Sequence, residues 1–161
     1  PAEPVRPHQV RQNRPMSDQA TQHMHIDAPL ERIWDVLTDF ESYPTWARDL
    51  KEATVLQRDD EGRALLVRFR AAAMGRSTTY TLAYDWADAP RRLPWKLVTG
   101  DIQRVLDGAY EFRETDSGTD VTYHLRVDLA IPLPGFVKRR AEARIISTAL
   151  RELRDHVTQP A

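Results

Sequence analysis

From residue 64 onward the chain alternates apolar and polar side chains in five successive runs, and then switches to a single helical stripe. In the first run Leu65, Val67, Phe69 and Ala71 alternate with Leu66, Arg68 and Arg70. Between Arg76 and Trp86, the residues Thr78, Tyr80, Leu82, Tyr84 and Trp86 share one face, opposite Ser77, Thr79, Thr81, Ala83 and Asp85. A short run around Trp95 and Leu97 ends at Gly100-Asp101. Leu106, Gly108, Tyr110 and Phe112 then oppose Val105, Asp107, Ala109 and Glu111, and Val121, Tyr123, Leu125, Val127 and Leu129 oppose Thr122, His124, Arg126 and Asp128. Period-two alternation is the signature of half-buried strands. The punctuation is short: Met74-Gly75, Ala89-Pro90-Arg91-Arg92 and Asp116-Ser117-Gly118. Strands joined by turns this short pair antiparallel. After Pro132-Leu133-Pro134-Gly135 the period changes, and Phe136, Ala143, Ile146, Ala149, Leu150, Leu153 and Val157 form one helical stripe over about residues 136–157. One amphipathic helix and one antiparallel sheet must bury their apolar faces against each other.

The preceding residues complete the plan. Residues 20–27 alternate, with Met24 and Ile26 on one side and His23 and His25 on the other. Asp27 suits a helix N-cap, with Ala28 and Pro29 opening the turn. Leu30, Ile33, Trp34 and Leu37 give the helix one apolar face. Thr38 or Asp39 is placed to cap a second short helix, and Tyr43-Pro44 is expected to break it, because a residue before proline avoids the α region. Tyr43 and Trp46 flank that break. Residues 52–58 make another strand, with Ala53, Val55 and Gln57 on one face, and Asp59-Asp60-Glu61-Gly62 turns it into the next. The sequence therefore predicts an α+β domain over residues 19–158: a strongly curved antiparallel sheet of seven strands wrapped around a long C-terminal helix, with two short helices after strand 1.

Bulk properties restrict the function. The 161 residues are 41% apolar and 29% charged, with a net charge of -1, which fits one globular domain and offers no global field for nucleic acid. No cysteine is present, so disulfides, thiol nucleophiles and cysteine metal sites are excluded. No apolar run reaches the length of a membrane span, and no secretory apolar core opens the chain, so a cytoplasmic location is expected. Residues 1–18 hold Pro1, Pro4, Pro7 and Pro15 among mostly polar residues, and are expected to form a disordered tail.

The order of elements, and several motifs, resemble the helix-grip superfamily, which includes lipid-transfer START domains, the birch-pollen allergen family and bacterial polyketide cyclase/dehydrase-like proteins. The motifs are Ile26-Asp27-Ala28-Pro29, Ile33-Trp34-Asp35-Val36-Leu37, Asp39-Phe40 and Tyr43-Pro44-x-Trp46, followed by Gly108-x-Tyr110-x-Phe112, Gly118-Thr119-x-Val121 and Pro132-Leu133-Pro134-Gly135-Phe136. The resemblance spans roughly residues 20 to 158. It implies a deep cavity between the sheet and the last helix that holds an apolar small molecule; fold is implied more strongly than function.

On that reading Trp34, Tyr43, Trp46, Phe69, Tyr80, Leu82, Tyr84, Trp86, Tyr110, Tyr123, Phe136 and Ile146 are the expected ligand-binding residues. Aromatic rings carrying hydroxyl tips suit a planar or polyprenyl ligand; the plainer reading is that they fill a core. The aromatase/cyclase branch of the resembled family uses an arginine, with tyrosine and serine, to polarise carbonyls. Here Tyr84 stands at the arginine's place, Leu82 at the serine's and Leu50 at that of another tyrosine, while Tyr43 replaces an aromatic. A tyrosine cannot supply a positive charge at neutral pH, which counts against an aromatase. Arg68, Arg70 and Arg104 would serve only if the strand faces were inverted, and are otherwise outer-face charges.

His23, His25 and His124 lack the acidic spacing of a metal site, so no metal and no cofactor is expected. No Ser-His-Asp set, P-loop or dinucleotide motif stands out. Lys138-Arg139-Arg140 and Arg144 open the last helix against its macrodipole, with Glu142 available as compensation. Beside Phe136 they suit transient membrane contact, a gate over the cavity or simply a solvated face. The leading expectation is a monomeric or homodimeric binder or carrier of a hydrophobic small molecule such as a lipid, quinone or polyketide. The alternatives are a polyketide aromatase/cyclase or dehydratase, with Tyr84 and Tyr110 polarising a carbonyl, and a partner-binding module resembling the ubiquinone-binding and ribosome-associated-toxin branches.

Overall fold

The alternating runs form one sheet. A computed structural model describes residues 19–73 and 75–160; the expected N-terminal tail, residues 1–18, and Met74 lie outside the described residues. Seven strands follow the expected faces: β1 (Ala20–Ile26), β2 (Leu50–Arg58), β3 (Ala64–Ala73), β4 (Arg76–Tyr84), β5 (Arg92–Gly100), β6 (Gln103–Thr115) and β7 (Gly118–Leu129). They are ordered β1-β7-β6-β5-β4-β3-β2, with every neighbouring pair antiparallel. The first strand thus closes against the last. Register shifts in the β2–β3, β4–β5 and β6–β7 ladders bend and twist the strands, as bulges do. Helix α1 (Leu30–Thr38) and a 3-10 turn (Phe40–Thr45) follow β1, and helix α2 (Gly135–Val157) ends the chain. α2 packs on β1, β7 and α1.

Several boundaries depart from the sequence reading. Asp27 does not cap α1: Pro29 is the N-cap residue, with no side-chain cap hydrogen bond, and the helix starts at Leu30. Proline's fixed φ sets the entry without a capping side chain. Asp39 precedes the 3-10 turn, also without a side-chain cap bond, and Thr38 Oγ1 donates back to Trp34 O within α1. Tyr43-Pro44 does not break the second element but lies inside it. Proline removes one donor there, and the amides of Trp46 and Ala47 both close on Tyr43 O, at 3.1 and 2.8 Å. β4 stops at Tyr84, leaving Trp86 beyond it, and β5 begins at Arg92 rather than near Trp95.

The helical stripe of α2 is narrower than expected. Ile146, Leu150, Leu153 and Val157 are buried, and so is Glu142 at 2% exposure, whereas Phe136 is 61% exposed. Stepping back four residues from Ile146 reaches Glu142, which the stripe places inside. Its Oε2 accepts the Val127 amide at 2.8 Å. Val127 lies two residues along β7 from Leu125, the partner of Ala20, so Glu142 meets β7 just beyond the first pair of the β1 ladder. Lys138 pairs with Asp128 at 2.8 Å.

Candidate functional site: an aromatic interior with unpaired hydroxyls

The sheet register sets rings side by side. Phe69 lies opposite Tyr80, Tyr84 opposite Trp95, Trp95 opposite Gly108, and Tyr110 opposite Tyr123. Ring centroids are 5.7 Å apart for Phe69–Tyr80, 6.0 Å for Tyr84–Trp95 and 4.6 Å for Tyr110–Tyr123. Trp95 joins the groups, 5.5 Å from Tyr110 and 5.4 Å from Tyr123. It fits because Gly108 has no side chain: a Cβ there would lie 2.6 Å from Trp95 Cζ2 and would collide with the His124 carbonyl oxygen. Phe40 brings in the helical end, 4.5 Å from Tyr84 and 5.4 Å from Tyr43, and Tyr43 reaches Phe69 at 5.8 Å. Leu82 and Ile146 are buried in the same core cluster.

The hydroxyls divide into two kinds. Tyr43 Oη donates to Leu37 O at 2.5 Å, which locks the 3-10 turn onto α1. The hydroxyls of Tyr80, Tyr84, Tyr110 and Tyr123 have no hydrogen-bond partner among the described residues. Among the described residues, the side-chain polar atoms that are both sealed and unpartnered are Trp46 Nε1 and Arg126 Nε. The four hydroxyls are not among these, so each keeps some accessible surface. Burial pushes Tyr80 up to about 12 and raises Tyr84, Tyr110 and Tyr123 further, with neighbouring tyrosines adding to the effect at Tyr84, Tyr110 and Tyr123. All four are therefore neutral donors at physiological pH. With no protein partner, each donor is free to bond a ligand carbonyl or hydroxyl.

The remaining expected residues lie at the edges. Trp34 and Trp86 meet edge to face at 5.9 Å, and both line an open cleft of about 670 Å³ between α1 and the turns that carry Arg63 and Pro90. Trp86 Nε1 donates to Ala64 O at 2.8 Å, and Arg63 lies over its ring at 5.9 Å. Trp46 stacks on His156 at 5.9 Å in a second cleft of about 430 Å³ with Arg32, Asp35 and Asp39. Phe136 stands apart from the ring network, exposed at the start of α2. Sequence reasoning missed three members: Trp95, Phe40 and Phe112, the last 6.0 Å from Tyr110 and 5.9 Å from Trp34. Trp95 had a signal, because it faces a glycine in the neighbouring aromatic strand.

Arg68 and Arg104 are exposed, and Arg70 pairs with Glu52 at 3.4 Å, so the outer-face reading holds for all three. Glu142 is the buried charged residue among the described ones. On the outer face His23 meets Thr122 at 2.8 Å, and His124 meets Glu111 at 2.7 Å; no group of three or more described side chains is placed to hold a metal ion. A Ser-His-Asp chain does exist there: Ser117 Oγ lies 3.2 Å from His25 Nε2, and His25 Nδ1 lies 2.8 Å from Asp120 Oδ1. It was invisible in sequence because the partners are 92 and 95 residues apart. Asp27 Oδ1 lies 3.2 Å from the same Nε2, and the Asp120 hydrogen bond raises the His25 pKa. Asp27 thus competes with Ser117 for Nε2, and a protonated ring there bridges two carboxylates rather than accepting the serine proton.

A family model described as "Polyketide cyclase / dehydrase and lipid transport" matches residues 26–154. A comparison with curated protein sequences finds no match. Solved structures share the fold. A START superfamily protein from Mycobacterium smegmatis is 21% identical, with a TM-score of 0.82 over 86% of this chain and 96% of that one. An aromatase/cyclase from a Streptomyces species is 17% identical, with a TM-score of 0.73 over 86% and 92%. A STAR-related lipid transfer protein from Xanthomonas axonopodis is 16% identical, with a TM-score of 0.68 over 88% and 86%.

Proposed function

Because the chain belongs to the polyketide cyclase/dehydrase and lipid-transport family, we propose that its domain, residues 19–158, is a cytoplasmic binder and carrier of a neutral hydrophobic small molecule: a lipid, quinone or polyketide-like compound. The observation that carries this reading is the set of four deep tyrosine hydroxyls without a protein partner. Rings supply apolar contact, and the hydroxyls supply donors for a ligand's oxygens. Arg68, Arg70 and Arg104 all face outward, so nothing on these strands attracts a free carboxylate or phosphate into the interior. Titration with a naphthoquinone such as menadione tests the reading through quenching of tryptophan fluorescence. Tyr84→Phe and Tyr110→Phe are each expected to weaken binding about fivefold to tenfold, the worth of one neutral hydrogen bond. Absence of quenching and of any thermal shift with quinones, polyphenols and fatty acids would overturn it.

One observation favours an aromatase/cyclase or dehydratase as the second reading: a buried acid, Glu142, lies on the helix that faces the sheet. If it acts on substrate, Glu142→Gln abolishes turnover of a poly-β-ketone while leaving binding intact.

A further inference from the structure

Among the described residues, the large apolar side chains left exposed gather mainly at one place. Ile131 is 73% exposed and Leu133 40%, and Phe136 and Val137 follow within one turn of α2. The β5–β6 turn joins them, since the Ala130 amide bonds Ile102 O at 2.7 Å, and Ile102 is exposed as well. Pro132 and Pro134 stiffen the connecting segment and remove donors that would otherwise need partners. Soluble domains rarely leave such a continuous apolar tip in water without a use for it.

Cations predominate around this tip: Asp128 is paired with Lys138, and Asp101 beside Ile102 is held by Thr78 and the Thr79 amide. Arg139, Arg140 and Arg144 are exposed on the first three turns of α2, and no ion pair joins them to another described residue. The whole chain carries a net charge of -1, so the basic cluster is a local feature. Cations in the first turns of a helix oppose its macrodipole, and the fold offsets one of them, Lys138, with Asp128. Apolar side chains projecting ahead of a basic helical face match an interface with hydrocarbon below and anionic headgroups above.

We propose that this tip, Ile131 to Val137 with Arg139, Arg140 and Arg144, docks on an anionic lipid bilayer. The apolar residues enter the headgroup boundary and the arginines meet lipid phosphates. The proposal deepens the carrier reading, since it names the surface with which a carrier of hydrophobic cargo would exchange it, and docking itself needs no bound ligand.

Co-sedimentation of the full chain with vesicles provides the test. Phosphatidylglycerol-containing vesicles should pellet the protein at low salt, and pure phosphatidylcholine vesicles should not. The triple variant Arg139→Gln, Arg140→Gln, Arg144→Gln should lose on the order of a hundredfold in binding, and Ile131→Asp at least tenfold. These side chains are exposed, so unchanged melting curves will show that the variants fold. No pelleting of the wild type, or equal pelleting of wild type and variants, overturns the proposal. So does a wild-type dimer in solution that Ile131→Asp converts to monomer, because a second copy would then cover the tip. Menadione uptake in vesicle-free solution, measured on Ile131→Asp, separates the two readings: uptake without docking isolates the tip, while docking without uptake in the wild type sinks the carrier and leaves the tip standing.

Discussion

A tyrosine hydroxyl means different things in different parts of this interior. Tyr43 Oη is held by Leu37 O, so Tyr43→Phe removes a buried hydrogen bond and should cost about 1 kcal/mol of unfolding free energy. Tyr84 and Tyr110 make no such bond, and Tyr84→Phe should change stability by less than about 0.5 kcal/mol while weakening ligand binding. Urea denaturation of both variants checks the contrast; equal losses would mean that the Tyr84 hydroxyl is structurally engaged. Gly108 is the second decisive residue. Gly108→Ala forces a methyl against the His124 carbonyl oxygen and the Trp95 indole, neither of which has room to yield. The expected loss is about 1–3 kcal/mol, typical of an overpacked core, with a changed tryptophan emission spectrum as its signature.

At the scale of elements, strands were legible and helix ends were not. Alternation in β3, β4, β6 and β7 reports the inner face directly, because a strand's side chains have only two directions. Helix α1 began at Leu30 rather than near Asp27 because proline's fixed φ, rather than a capping side chain, sets the entry. Apolarity puts Phe136 in the expected α2 stripe and charge makes Glu142 a compensating residue, yet phase alone places Glu142 inside and Phe136 is exposed. Its partner, the Val127 amide, lies on β7 beyond the Ala20–Leu125 pair, a tertiary placement that no local pattern announces. The candidate site was half legible: the ring-bearing faces could be read, but hydroxyl partners depend on tertiary placement.

β1 also carries a pH dependence. The Asp120 hydrogen bond raises the His25 pKa above its unfolded value, and His25 chiefly lowers that of Asp120. The His25 contribution is complete below the ordinary histidine pKa of about 6.5 and fades as pH rises through the raised folded value. The Asp120 contribution holds above the ordinary aspartate pKa and fades as pH falls through the lowered one. Amide exchange in β1, corrected for intrinsic rates, should therefore be slower near pH 6 than near pH 8, and His25→Gln should flatten the difference. Equal protection at both values in the wild type would contradict this.

The whole molecule combines a curved sheet, open at its β1 and β2 edges, with an interior left short of hydrogen bonds. The sheet pairs its first strand with its last, and no described helix is long and apolar enough to cross a membrane. Inside, four neutral donors line an aromatic face that excludes the arginines of β3 and β6. A fold that had only to be stable could place phenylalanine at those positions at no loss. Native mass spectrometry of protein freshly purified from its own cells, followed by denaturing extraction, tests the central claim most directly. The account predicts a bound small molecule that is released on denaturation and is neutral and hydrophobic by chromatography. The bare polypeptide mass alone, with no thermal shift on adding lipids, quinones or polyketide-like compounds, would contradict it.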